Sequence, residues 1–207
     1  MTALALLDYG SVLIFALTGA LVASRKQLDI VGFAFVASLT AVGGGTLRDV
    51  LLDRNPVFWI ANPNYILIAC AAALLIFFTA HLAESRYRWL TWLDSFALAV
   101  AVAAGVAAAL QMLQPGPIVV IMGIVTGCFG GLMRDVVCNE VPLVLKQGEL
   151  YVTAALAGSV AAVTLTTLSD DMTLILGTCA GLTWGLRAGS IAFGWRLPNY
   201  KARPPKS

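Results

Sequence analysis

Four runs of this chain, residues 30–47, 55–80, 95–133 and 150–169, contain no aspartate, glutamate, lysine or arginine. A helix that crosses a bilayer needs roughly 20 mainly apolar residues, and about 18 without charge already mark a candidate. The 95–133 run is too long for one helix, and Gln114-Pro115-Gly116-Pro117 divides it, because proline cannot continue helical hydrogen bonding. Seven spans follow, near 3–23, 30–53, 65–84, 90–112, 117–138, 150–168 and 172–194. Hydrophobic residues make up 59% of the chain and charged residues 12%, about half the charge of an average soluble domain. The expected fold class is an all-α integral membrane protein, since a helix satisfies its own backbone in hydrocarbon. A globular enzyme with an apolar core is excluded.

The charges that remain are informative by position. Lys and Arg accumulate on the cytoplasmic side of membrane helices. Arg25 and Lys26 follow span 1, Arg86 and Arg88 follow span 3, Lys146 lies between spans 5 and 6, and Arg196, Lys201, Arg203 and Lys206 crowd the tail. The connections between spans 4 and 5 and between spans 6 and 7 hold neither lysine nor arginine. This places the N-terminus outside and the C-terminus in the cytoplasm. Arg48 and Arg54 alone break the pattern, which gives them a role other than topology. A net charge of +2 is too small to suggest nucleic acid as a partner; membrane lipids are the expected surroundings.

A block of sequence also recurs. Gly44-Gly45-Thr46-Leu47-Arg48-Asp49-Val50 returns 86 residues later as Gly130-Gly131-Leu132-Met133-Arg134-Asp135-Val136. The same offset pairs Leu7-Asp8 with Leu93-Asp94, Gly19 with Gly105, Thr40 with Thr126, Pro56 with Pro142 and Tyr65 with Tyr151. Each unit holds three spans, and an odd number inserts the second copy from the opposite side of the membrane. The expected organisation is a first three-helix repeat over 1–89, a second, inverted repeat over 90–171, a seventh helix over 172–195 and a polar tail over 196–207.

Glycine in a helix interior is unfavourable by about 1 kcal/mol relative to alanine, so Gly43-Gly44-Gly45 and Gly130-Gly131 look placed. One reading is a kink or break in spans 2 and 5 that exposes carbonyls to a hydrated path. The other is a close crossing of the two spans. Thr40 and Thr126, one turn earlier, either add hydroxyls to the path or bond back to their own helices. Arg48-Asp49 and Arg134-Asp135 are ionisable pairs at membrane depth, where such groups pair or face water. Adjacent helical residues point about 100° apart, so the symmetric expectation is pairing between halves, Arg48 with Asp135 and Arg134 with Asp49. Asp8 and Asp94 are expected as N-caps, Pro56 and Pro142 as helix ends, Tyr65 and Tyr151 as interfacial aromatics and Arg187 as a residue that snorkels to the cytoplasm. Gly177, Gly181, Gly185 and Gly189 form a small-residue stripe on span 7, suited to close helix packing within the bundle or against another subunit. The four cysteines lack metal-type spacing and read as reduced and structural. There is no HExxH pattern and only one histidine, His81, so no catalytic centre, metal or cofactor is expected.

The duplicated Gly-Gly-x-x-Arg-Asp motifs, the three-plus-three-plus-one pattern and the length resemble the trimeric intracellular cation channel family. The likeness is to its prokaryotic members, whose domain is also known as a glycine-transporter-like membrane domain. The resemblance implies a homotrimer in a prokaryotic inner membrane, with one pore per subunit lined by spans 1, 2, 4 and 5. Monovalent cations, K+ foremost and Na+ with it, would pass under control of spans 2 and 5. The alternative in the same membrane class is a secondary transporter for a small amino acid such as glycine, because paired broken helices also build substrate sites.

Overall fold

The computed structural model describes residues 3–82 and 85–198. Lys201, Arg203 and Lys206 of the tail lie outside the described residues. The helices are α1 (Ala3–Arg25), α2 (Ile30–Leu51), α3 (Phe58–Ala61), α4 (Asn64–Thr79), α5 (Arg86–Gln111), α6 (Gly116–Val137), α7 (Val152–Leu165) and α8 (Met172–Phe193). Among the described residues, five stretches are long and apolar enough to cross a membrane: Ala3–Arg25, Ile30–Leu51, Asn64–Leu82, Tyr87–Gln111 and Gly116–Val137. These are spans 1 to 5 of the sequence reading, so the protein is an all-α, multi-pass membrane protein. Span 6 is shorter than expected, because α7 has 14 residues and reaches only about 21 Å at 1.5 Å per residue. Span 7 is α8. The short α3 was not anticipated; four residues carry no periodic signal.

Local sequence sets the helix ends. Asp29 caps α2 by accepting from the Gly32 amide, and Asp171 caps α8 by accepting from Thr173 and Leu174, each satisfying N–H groups that the first turn leaves free. Gln27, Asp53, Leu113 and Asn139 follow the C-termini of α1, α2, α5 and α6 with φ of 54°, 51°, 52° and 49°. They form two pairs 86 residues apart. Asp and Asn tolerate this left-handed backbone; leucine and glutamine do so at a cost.

At the centre stand α1, α2, α5 and α6. Here α1 packs on α2 and on α5, while α6 packs on α5 and on α2. Against this foursome α4 covers α1 and α2, α7 covers α6, and α8 covers α5 and α7. One apolar cluster, with Val12, Phe15, Val36 and Ala69, joins α1, α2 and α4. The other, with Leu98, Val102, Met122, Ala155 and Ile175, joins α5 to α8.

The repeated glycines are where the four helices touch. A Cβ on Gly44 would overlap the Thr126 carbonyl oxygen, and one on Gly130 would overlap the Thr40 carbonyl oxygen. These contacts are reciprocal under the 86-residue shift and make α2 and α6 cross antiparallel. On Gly19 a Cβ would stand 2.7 Å from the Thr40 hydroxyl and 2.8 Å from the Val36 carbonyl; on Gly105 it would meet Met122 and Thr126 in the same way. The expected break is not present: α2 and α6 are helical without interruption through Gly43, Gly44, Gly45, Gly130 and Gly131. Close approach accounts for Gly44 and Gly130, where the missing Cβ lets a neighbouring backbone in, while Gly43 and Gly45 make room for the Met133 and Phe58 side chains. Thr40 and Thr126 donate to the Val36 and Met122 carbonyls of their own helices at 2.6 and 2.7 Å.

The stripe on α8 bears on the two readings left open for it. Gly177, Gly181 and Gly185 have nothing within 4 Å of an added Cβ, and only Gly189 is packed, against Trp195. The stripe therefore does not seat α8 in its own bundle. It faces outward, while Cys179, Thr183 and Arg187 turn inward.

Gly44→Ala and Gly130→Ala should each lower stability by about 1–3 kcal/mol through overpacking, seen as a reduced melting temperature in detergent. Gly181→Ala should leave the melting temperature of the separated subunit close to that of the parent protein.

Candidate ion pathway

Arg48 and Arg134 sit near the ends of α2 and α6 with side chains that are 0% exposed. Burying a guanidinium is tolerated only when its charge is paired and its N–H groups are bonded. Arg48 donates from Nε to Asp49 Oδ1 at 2.8 Å, from Nη1 to Asp8 Oδ1 at 2.8 Å and from Nη2 to Asp8 Oδ2 at 3.4 Å. Arg134 donates from Nε to Asp135 Oδ1 at 2.7 Å and from Nη1 to Asp94 Oδ1 at 2.8 Å and to the Thr18 hydroxyl at 3.0 Å. Each arginine is thus held between its own neighbour and a carboxylate 40 residues earlier.

The pairing across halves, Arg48 with Asp135 and Arg134 with Asp49, does not occur. Although adjacent residues diverge on a helix, the arginine stem is long enough to fold its Nε back to the next carboxylate. The rest of the fork then reaches the helix that precedes it in the same repeat. Nor are Asp8 and Asp94 N-caps. They lie inside α1 and α5, buried, because those helices begin at Ala3 and Arg86.

The loops after α2 and α6 complete the clusters. Asp49 Oδ2 accepts from the Phe58 amide and Asp135 Oδ2 from the Leu143 amide, both at 2.9 Å. Pro56 and Pro142 lie in these returning loops, beyond helices that end at Leu51 and Val137. Arg54 adds a 2.9 Å contact to Asp49, so the first cluster balances Asp8 and Asp49 against Arg48 and Arg54. Its repeat counterpart, Glu140, instead pairs with Arg25 at 3.2 Å and Lys26 at 3.6 Å.

Tyr65 and Tyr151 are buried and not interfacial. Tyr65 stacks on Tyr9 with ring centroids 4.2 Å apart, and the Tyr151 hydroxyl donates to Asp94 Oδ2 at 2.8 Å. Arg187 is 0% exposed and ion-paired to Glu149 at 2.7 Å; it does not snorkel, because Glu149 meets it inside the fold.

Between the first cluster and the α2–α6 crossing lies a cavity of about 10 Å³, the room of roughly one water molecule. Asp8 and Ser11 of α1, Gly44 and Gly45 of α2, Ala101 of α5 and Thr126 of α6 surround it. All four central helices therefore meet at a small polar space whose carboxylate is occupied by an arginine.

Sequence reasoning missed Asp8, Asp94, Tyr151, Thr18 and Glu149 as members of these clusters. Three had a usable signal: Asp8, Asp94 and Tyr151 belong to the repeat, and both aspartates stand 40 residues before a repeated arginine. Thr18 and Glu149 had none.

Removing one partner of a buried ion pair costs about 3–5 kcal/mol. A double-mutant cycle on Asp8→Asn and Arg48→Ala, read by thermal unfolding, should show strong non-additivity. The same cycle on Arg48→Ala and Asp135→Asn should be additive within about 0.5 kcal/mol.

The model of the family described as Glycine transporter matches the chain twice, over residues 5–81 and 91–167, which are again 86 residues apart. A UPF0126 membrane protein of Vibrio cholerae is 38% identical over 205 residues, covering 94% of this chain and 82% of that protein. The UPF0126 inner membrane protein YadS of Escherichia coli K12 is 36% identical over 156 residues, 74% of each chain. The solved structure of the TRIC trimeric intracellular cation channel orthologue from Rhodobacter sphaeroides superposes with a TM-score of 0.90 at 42% identity, covering 94% of this chain and all of that one. The twice-matched family model, the relatives and the shared fold agree: the chain belongs to the trimeric intracellular cation channel family, in its prokaryotic, glycine-transporter-like branch.

Proposed function

We propose that the protein is a monovalent cation channel, permeable to potassium, with one pore in each subunit of a homotrimer. The observation that carries this reading is the pair of buried arginines, each neutralised by two carboxylates, at repeat-related positions among the four central helices. An unpaired arginine in a cation path has the wrong sign. Held on Asp8 and Asp94, Arg48 and Arg134 instead act as gates: when one leaves, its carboxylate is freed toward the pathway and attracts cations. Gly44 and Gly130 serve this by bringing α2 and α6 together backbone to backbone at a seam, where a small displacement changes the width of the path, and Gly43, Gly45 and Gly131 leave room beside it for Met133, Phe58 and the Tyr151–Asp94 pair. Thr40 and Thr126 line that seam with their carbonyls.

Two inverted repeats plus α8 account for the reciprocal Gly44–Thr126 and Gly130–Thr40 contacts, as a two-fold axis requires residue i to meet j and j to meet i. An orientation with the N-terminus outside and the C-terminus in the cytoplasm, in a prokaryotic inner membrane, is supported by basic residues collected at one end. Arg25 pairs with Glu140 and lies over the Tyr87 ring, and Tyr87 also bonds Lys146. The outward stripe of Gly177, Gly181 and Gly185 is the face of α8 that packs on a neighbouring subunit; Gly181→Leu should then shift the trimer toward smaller species in native mass measurement.

The family description favours one other reading, secondary transport of glycine. Purified protein in planar bilayers separates the two. Unitary K+ currents that persist without substrate support the channel. Saturable glycine uptake driven by an ion gradient, with no unitary current, would replace it.

A further inference from the structure

The two arginine sites are related by the repeat but are not held alike. Arg48 places both Nη atoms on Asp8 and lies against the Phe58 ring, 5.4 Å from its centroid. Arg134 places only Nη1 on Asp94, and its buried Nη2 has no hydrogen-bond partner. The oxygen that would complete the fork, Asp94 Oδ2, is occupied by the Tyr151 hydroxyl. The repeat counterpart of Tyr151, Tyr65, is turned into a stack on Tyr9. Glycine at 131 leaves the meeting point open: a Cβ there would stand 3.3 Å from the Tyr151 hydroxyl, 3.5 Å from Asp94 Oδ1 and 3.6 Å from Arg134 Nη2. The equivalent Gly45 is filled by Phe58, 2.6 Å from such a Cβ.

What seats Tyr151 comes from α8, which has no counterpart in either repeat. The Arg187 guanidinium lies 4.9 Å from the Tyr151 ring centroid, with Nη1 on Glu149 and with Nε and Nη2 unpaired. A buried guanidinium short of hydrogen bonds gains from an aromatic face, so ring and cation hold each other. The segment before Tyr151 is pinned to α8 as well, through the Leu150 amide on the Ser190 hydroxyl at 3.1 Å.

We propose that Arg187 is a positioning residue for gating. Held by Glu149, it seats Tyr151 on Asp94 and so denies Arg134 the two-pronged grip that Arg48 has. Bidentate arginine–carboxylate pairs are the stronger kind. Arg134, with one prong on Asp94 and a neutral hydroxyl, Thr18, as its further partner, therefore has the weaker grip on its carboxylate and is the gate that moves first, and Glu149, 31% exposed at its side chain, connects that gate to the protein surface. The functional consequence rests on the channel reading above; the pairing itself does not.

Two measurements test it. In a structure of Tyr151→Phe, which removes one oxygen atom, Arg134 Nη2 should turn onto Asp94 Oδ2. In planar bilayers the same variant should open about tenfold less often, the weight of one charge-assisted hydrogen bond. Arg187→Gln should lower open probability in the same direction, and Arg187→Lys, which keeps the cation over the ring, should restore most of it. An Nη2 still unpaired in Tyr151→Phe, or an open probability unchanged or raised, overturns the proposal. A lowered value in Tyr151→Phe with a parental value in Arg187→Gln removes Arg187 from it. A parent protein without unitary current would instead sink the channel reading, while the structure of the variant still decides the pairing.

Discussion

A charged arginine with no access to solvent has to be answered by carboxylates at hydrogen-bond distance, and this requirement organises the whole bundle. Arg48 can be buried only because α1 brings Asp8 to it and the loop after α2 returns to secure Asp49. Arg134 is buried by the same means through α5 and the loop at Leu143. Each cluster therefore ties two helices and one loop of its own repeat together as a unit, and the second also reaches α1 of the other repeat through Thr18. The value of such a pair is less in net stability than in position, since an ion pair inside a fold roughly offsets its own desolvation. What it secures is that two specific helices face each other with one specific register.

The glycines solve the complementary problem of joining the two units. Lipid supplies no hydrophobic drive for helix association, so contact must come from dispersion at short range. Gly44 and Gly130 let α2 and α6 approach until backbone meets backbone, while Gly19 and Gly105 do the same within each half. The consequence is a centre held together by close surfaces rather than by interlocked side chains. Such a seam can slide or open with little side-chain rearrangement, whereas the arginine clusters on either unit can change only by exchanging discrete hydrogen bonds.

Symmetry is broken by α8. It stands outside the repeat and delivers Arg187 to Tyr151, so that the second cluster shares its aspartate between a tyrosine and an arginine. The first cluster has an aromatic lid and an additional cation, Arg54, in place of that arrangement. The two repeat-related arginines thus have unlike partners.

The all-α class, the first five spans within a few residues and the 86-residue repeat could be read from the chain alone. Uncharged runs of membrane length and a recurring set of glycines and charges are local, one-dimensional signals. The arginines and their adjacent aspartates were legible as important for the same reason. Their partners were not, because a side chain's reach decides pairing as much as its direction does. Only the packed structure shows Arg48 folding back to Asp49 while reaching across to Asp8. Likewise, glycine in a helix is equally compatible with a bend and with a close neighbour, and the chain alone carries no record of what stands opposite. The fold supplies the close neighbour: the Thr40 and Thr126 carbonyls take the space that side chains at 130 and 44 would need.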